Sequence, residues 1–169
     1  MTSLIPVPDP ARDLLLERIV PLPPERIWTA WTTPEHLMPW FTPAPWTTIA
    51  CEIDLHPGGS FHTVMRSPEG QEFPNIGCYL EIVPNRKLVW TNALLPGFRP
   101  ANPTVGEVAD CGLFLFTAHL FLTPHEQGTK YTALVIHKDA EGKQQHEAMG
   151  FHEGWGKALD QLVAYMGRR

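Results

Sequence analysis

The chain reads as an α+β domain in which a curved antiparallel sheet of about seven strands wraps around a long C-terminal helix, with two short helices after the first strand. Three patterns predict this. Between Thr47 and His137, short apolar runs alternate with the turn signals HPGG, SPEG, PNRK and HEQG, spaced as in a meander. In the closing stretch HEAMGFHEGWGKALDQLVAYMGRR, Met149, His152, Trp155, Leu159, Leu162 or Val163, and Met166 recur at helical spacing. That helix is the only element large enough to cover a face of the sheet.

Composition bounds the function. The 169 residues suffice for one domain with a sizeable core, and 43% of them are apolar. A net charge of −5 and a pI near 5.9 argue against nucleic acid or an anionic membrane as partner. No run of eighteen apolar residues is present, so no spanning helix is expected. The start, MTSLIPVPDPARD, lacks the basic and apolar regions of a secretory signal. Cys51, Cys78 and Cys111 are odd in number, have no CxxC spacing and sit in strand-like runs, so a reduced, cytoplasmic setting is expected. No metal or cofactor motif is visible. Residues 1–11 are expected to be flexible and residues 12–169 to form the domain.

In chain order, DLLLERIV (13–20) reads as a strand. PLPPERIWTAWTTPEHLMPWF reads as two helices: one with Pro24 in its first turn and Ile27, Trp28 and Trp31 on one side, the next capped by Thr33 and stopping near Pro39. The segment 95–110, LPGFRPANPTVGEVAD, is a candidate flap, and DAEGKQQHE (139–147) reads as a polar loop. Gly150, Gly154 and Gly156 weaken the last helix by about 1 kcal/mol each relative to alanine, so packing must hold it.

CEIDLHPGGSFHTVM (51–65) gathers Glu52, Asp54, His56 and His62 around a Pro-Gly-Gly. A three-residue loop with Gly59 left-handed sets Leu55 against Phe61, Ile53 against Thr63 and Cys51 against Met65, which collects the apolar residues on one face. The polar residues then share the wet face, with Asp54 across from His62, as a solvated cross-strand pair rather than a metal site. The same logic pairs Met65 with Phe73 and Phe61 with Gly77, an aromatic covering a strand glycine. Through PNRK it places Val83 against Leu88, Glu81 against Trp90 and Tyr79 against Asn92. Through HEQG it places Phe116, Ala118, Leu120 and Leu122 on one face with Tyr131, Ala133, Val135 and His137, and His119 on the other with Phe121 and Leu134. The inner face is thus apolar with a few polar groups, Asn75, Tyr79, Glu81, Asn92 and His137, which either satisfy one another or meet a ligand.

RIVPLPPERIWTAWTTPEHLMPWF (18–41), DLHPGGSF (54–61), GCYLEIVPNRKLVWT (77–91) and HEGWGKALDQL (152–162) together resemble the family of the activator of the ninety-kilodalton heat-shock chaperone ATPase. His56 stands where that family often has Arg. The resemblance covers about residues 12–166 and implies the helix-grip fold of the START and polyketide-cyclase superfamily. Members of that superfamily bind lipids, hormones and polyketides, and some catalyse cyclisation.

Three functions follow as expectations. The first is binding of a small apolar or aromatic molecule between sheet and helix. Phe61, Met65, Phe73, Tyr79, Trp90, Phe116, Met149 and Trp155 would line the site, and Asn75, Asn92 and His137 would orient the ligand, with His152 also placed to face it. The second is a cyclase or hydrolase with His137 or Glu81 as base and Tyr79 as acid; no GxSxG, HExxH, P-loop or Rossmann pattern supports it. The third, implied by the resemblance alone, is stimulation of a chaperone ATPase, although the eukaryotic activator carries a second domain for which 169 residues leave no room. Homodimerisation is compatible with a domain of this size.

Overall fold

The computed structural model describes residues 6–101 and 115–168. Strand β1 (Asp13–Val20) is followed by helices α1 (Pro24–Thr32) and α2 (Pro34–Leu37). Strands β2 (Thr47–Ile53), β3 (Ser60–Arg66), β4 (Glu72–Val83) and β5 (Lys87–Thr91) come next, then a small hairpin, β6 (Leu94–Leu95) and β7 (Arg99–Pro100). Strands β8 (Phe116–His125) and β9 (Gly128–His137) lead into α3 (Ala140–Ala148) and α4 (Phe151–Met166). One antiparallel sheet runs β1-β9-β8-β5-β4-β3-β2. It is the α+β helix-grip architecture, with α4 lying across the concave face. Among the described residues, no helix is long and apolar enough to cross a membrane.

The apolar face of α4 explains the grip. Phe151, Ala158, Leu159, Leu162 and Met166 are buried on it, at helical spacing. Ala158, Leu159, Leu162 and Met166 join Leu120, Leu122, Tyr131 and Ala133 from the sheet and Ile27, Trp31, Leu37 and Trp40 from the α1–α2 segment in one core, while Phe151 packs with Leu14 and Val135 in a second cluster. Polar ties fix the helix along its length. Arg18 of β1 donates to Asp160 at 2.6 Å, Lys157 to the Ala44 carbonyl at 2.7 Å, and Gln161 to the carbonyls of Trp40 and Thr42 at 3.0 Å. Thr33 precedes α2 as expected, but its side chain makes no capping bond.

Four expectations need correction. The β2–β3 turn is longer than three residues: Ile53 pairs with Phe61, Cys51 with Thr63, and Glu52 rather than Asp54 with His62. Leu55 is outside the ladder. The turn is drawn instead onto β4, where Gly58 N–H donates to the Tyr79 carbonyl at 2.7 Å and Tyr79 N–H to the Gly59 carbonyl at 3.0 Å. Gly58, not Gly59, is the left-handed residue, at φ 85°. The shift is an even number of residues, so the inner and outer faces are as expected.

The second correction is a one-residue slip. Val83 pairs with Lys87 and Glu81 with Val89, rather than with Leu88 and Trp90, and a bulge between Tyr79 and Glu81 sets Tyr79 against Trp90 rather than Asn92. Glu81 therefore lies on the outer face, where its carboxylate accepts from Lys87 Nζ at 2.8 Å. Third, the stretch read as a polar loop at 139–147 is helix α3, capped by the Asp139 carboxylate, which accepts from Gly142 N–H at 2.9 Å. Gly150 at φ 92° separates it from α4, so the end of the chain is two helices rather than one. Fourth, the start of the candidate flap is the β6–β7 hairpin, docked on the HPGG turn by Gly97 N–H to the Gly58 carbonyl at 2.7 Å. The remainder of that segment, with Cys111, lies outside the described residues.

The β3–β4 and β8–β9 registers match the expectation throughout, including Phe61 over Gly77 and His119 on the outer face beside Leu134. The glycines of α4 are not equivalent. A Cβ built on Gly154 has Pro43 Cγ at 3.8 Å as its nearest neighbour, an ordinary contact. Gly154→Ala is expected to raise stability by about 0.5–1 kcal/mol in urea denaturation through the loss of unfolded-chain freedom.

Candidate functional site

Between the sheet and α4 lies a half-open cavity of about 630 Å³. The sheet contributes Phe61, Met65, Asn75, Trp90, Asn92 and Phe116, all expected from the sequence. The C-terminal helices add the expected Met149 and Trp155. Trp31, Trp40 and Phe41 from the α1–α2 segment, Tyr131 of β9, and His146 and Phe151 also line it and were missed. The first three belong to an aromatic-rich helical pair visible in the sequence, but nothing in one sequence says that such a pair folds over a sheet mouth.

The aromatic walls are ordered by mutual packing. Phe61 stacks on Tyr79 with centroids 5.4 Å apart and planes at 12°. Its edges meet Trp90 at 5.0 Å and Phe41 at 5.6 Å, and Trp90 in turn packs on Phe116 at 5.4 Å. Phe151 and Trp155 pack on each other at 5.2 Å across the first turn of α4.

Other expected site residues stand elsewhere. Tyr79 is buried behind Phe61, and burial pushes its hydroxyl far above the ordinary tyrosine range. Phe73 packs on Trp46 at 5.5 Å instead of facing the cavity. His152 is exposed and meets Glu147 at 3.3 Å. Glu81 is on the opposite side of the sheet, as described above. His137 is buried but lies one residue behind the wall: its Nε2 meets His146 Nδ1 at 2.9 Å, and His146 is the ring that reaches the cavity.

This histidine pair has a defined proton arrangement. His137 Nδ1 is 3.0 Å from the Arg12 carbonyl, which can only accept, so that nitrogen carries the proton. Neutral His137 then has a bare Nε2, and His146 must donate to it from Nδ1. Neutral His146 is thus the Nδ1–H tautomer, with its lone pair on Nε2. Burial, and secondarily the His137 ring, holds His146 down to about 4. Burial also lowers His137, against the opposing pull of the Arg12 carbonyl and Asp13.

A pH dependence follows. An unfolded histidine titrates near 6.5. Below that, the unfolded chain takes up a proton that folded His146 refuses until about pH 4. Stability is therefore flat above about pH 6.5 and falls as pH drops through the window below it, by about 2 kcal/mol at pH 5. Denaturant titrations at pH 7.5 and pH 5 should show this loss, and His146→Phe should remove most of it. An unchanged slope in the variant would assign the dependence to other groups.

The polar side chains Asp54 and His56 of the HPGG turn lie on the surface. His56 Nε2 meets Asp54 Oδ2 at 2.9 Å and its Nδ1 the Pro57 carbonyl at 2.9 Å; both contacts favour the imidazolium and raise its pKa. Among the described residues, no group of three or more His, Cys, Asp or Glu side chains is arranged to hold a metal ion.

The family model for activator of Hsp90 ATPase homolog 1-like proteins matches residues 21–167. The chain belongs to this family. It is also similar to a crystallised protein of Nitrosomonas europaea, with 42% identity over 95% of this chain and 97% of that one and a TM-score of 0.87. A Rhodobacter sphaeroides protein shares 21% identity over 96% of each chain (TM-score 0.78). An Arthrobacter aurescens protein shares 21% over 94% of this chain and 88% of that one (TM-score 0.77). These last two bear on the fold alone. No curated protein matches the chain.

Proposed function

We propose that this family member is a binding module that holds a small apolar or aromatic molecule in the cavity between sheet and α4. The observation that carries this is the cavity itself: about 630 Å³, walled by packed aromatic rings with a few polar groups among them. A close-packed interior would leave no space of that size. Of the candidates for the catalytic alternative, Glu81 is on the outer face, and neither His137 nor Tyr79 lines the cavity. Chaperone stimulation has only the family description behind it.

The test is titration with the uncharged probe N-phenyl-1-naphthylamine, followed by its own emission and by quenching of the cavity tryptophans. Saturable one-to-one binding is expected. Gly154→Leu should abolish it while thermal stability is kept, because the new side chain grows into the cavity from a helix position that prefers any side chain to none. Binding that survives Gly154→Leu unchanged, or no binding to the parent protein, would sink the proposal.

A further inference from the structure

We propose that the cavity selects an uncharged alcohol or phenol, whose hydroxyl is held between Thr63 and Asn75 on the sheet. This rests on the binding reading above and narrows its chemistry. A polar pair without protein partners and the charge of the lining point to it independently.

Thr63 of β3 and Asn75 of β4 stand directly opposite each other on adjacent strands, and both line the cavity. Side chains so placed start from Cβ atoms about 4.5–5.5 Å apart. Thr63 is only 3% exposed, and its hydroxyl makes no hydrogen bond with the described residues. Valine would fill the same space with no polar atom to bury, so an unpaired hydroxyl here costs stability. Asn75 is oriented by the backbone. Its Nδ2 donates to the Phe73 carbonyl at 3.3 Å. A carbonyl only accepts, so the amide cannot turn over, and Oδ1 is left as an acceptor with no partner among the described residues. Other polar groups of the wall are engaged: Asn92 Oδ1 accepts from Phe116 N–H at 2.8 Å, and His146 Nδ1 meets His137 Nε2 at 2.9 Å. Trp90 Nε1 has no acceptor, but it is fully covered, in a ring packed against Phe61 and Phe116.

A hydroxyl satisfies both members of this pair at once. It donates to Asn75 Oδ1 and accepts from the Thr63 hydroxyl. An ether or ketone of the same shape accepts from Thr63 but leaves Oδ1 unpaired beneath an apolar ring. Ions are disfavoured for a separate reason. No Lys, Arg, Asp or Glu is among the described residues that line the cavity. Residues 102–114, outside the described part, contain Glu107 and Asp110 but no Lys or Arg. A carboxylate or phosphate entering this space would leave water without a counter-charge among the described residues and would turn its oxygens toward Asn75 Oδ1. An ammonium would find Oδ1 but no lining carboxylate among the described residues.

The experiment is displacement of bound N-phenyl-1-naphthylamine at pH 7.5 by a matched biphenyl series. In the parent protein, 4-phenylphenol should bind about tenfold more tightly than 4-methoxybiphenyl. Biphenyl-4-carboxylate and (biphenyl-4-yl)methylammonium should bind about a hundredfold more weakly than the phenol. Thr63→Val should keep the ether's affinity and lower the phenol-to-ether ratio to about two, whereas Thr63→Ser, which keeps the hydroxyl, should preserve the ratio. Asn75→Leu should bring the ratio close to one. In ¹H–¹⁵N spectra of the parent protein, the Asn75 side-chain amide should shift far more with the phenol than with the ether. An ether or an ion as tight as the phenol, a ratio that Thr63→Val and Asn75→Leu both leave unchanged, an Asn75 amide indifferent to the phenol, or a probe that no biphenyl displaces would overturn the inference and leave the binding reading intact. Failure of the naphthylamine itself to bind would overturn both. If a variant does not fold, the parent ratios and the Asn75 amide still decide.

Discussion

Gly59→Ala is expected to cost at least about 3 kcal/mol, placing it in the severe tail of point substitutions. A Cβ at Gly59 would stand 1.9 Å from the Asp54 carbonyl oxygen and 2.9 Å from that of His56. Both are backbone atoms, so no rotamer change relieves the overlap. The turn also has nowhere to go. Asp54 N–H donates to Ser60 O at 2.8 Å, Gly59 N–H to His56 O at 2.8 Å, and the Gly59 carbonyl accepts from Tyr79 in the neighbouring strand. Moving Gly59 breaks the tie between the β2–β3 turn and β4, and through Gly58 it loosens the β6–β7 hairpin docked on that turn. For a domain of this size, the midpoint of thermal unfolding should fall by about 6–12 °C. Gly154→Ala is the internal control, with the opposite sign at a glycine that has room. A Gly59→Ala loss below about 1 kcal/mol in urea denaturation would mean that the turn is not built as described.

This turn also shows what a single sequence conveys and what it withholds. That HPGG closes a hairpin, and that Phe61, Thr63 and Met65 share the inner face, was legible from alternation alone, because a register error of two residues does not change faces. The register itself was not legible. It depends on Tyr79 and Gly58, which are far apart in sequence and meet only when β4 pairs with the turn. The bulge after Tyr79 is a harder case. LEIV carries no glycine or proline to mark it, yet one extra residue moves Glu81 from the expected cavity to the surface. The same limit explains His146. Its helix has few apolar residues and none of its side chains is fully buried, so the pattern reads as loop. Only the fold, by turning the chain at Gly150, brings that ring against His137 and the cavity. Phe61, Trp90 and Phe116 were placed well because a period of two is robust, but alternation fixes only the face, and Phe73 and Tyr79 share that face without reaching the cavity; Trp31, Trp40 and Phe41 needed tertiary information about where the α1–α2 segment lies.

Phe61→Ala carries the second large expected effect. The ring is 4% exposed and is the hub of the aromatic wall, stacked on Tyr79 and edge-on to both Trp90 and Phe41. It also covers the bare backbone of Gly77 on the adjacent strand. Truncation removes the contacts of a buried phenylalanine and enlarges a cavity that the surrounding strands cannot close, which costs about 3–5 kcal/mol. Part of this should be shared with Trp90, whose centroid is 5.0 Å away at an interplanar angle of 89°. A cycle of Phe61→Ala, Trp90→Ala and the double variant, measured by urea denaturation, should give a coupling of about 0.5–1.5 kcal/mol beyond additivity. If the two losses simply add, the rings line the cavity as independent side chains. A measurable coupling instead makes the wall one packed unit, so that the space beside it persists when empty and an aromatic guest enters an existing slot rather than opening its own.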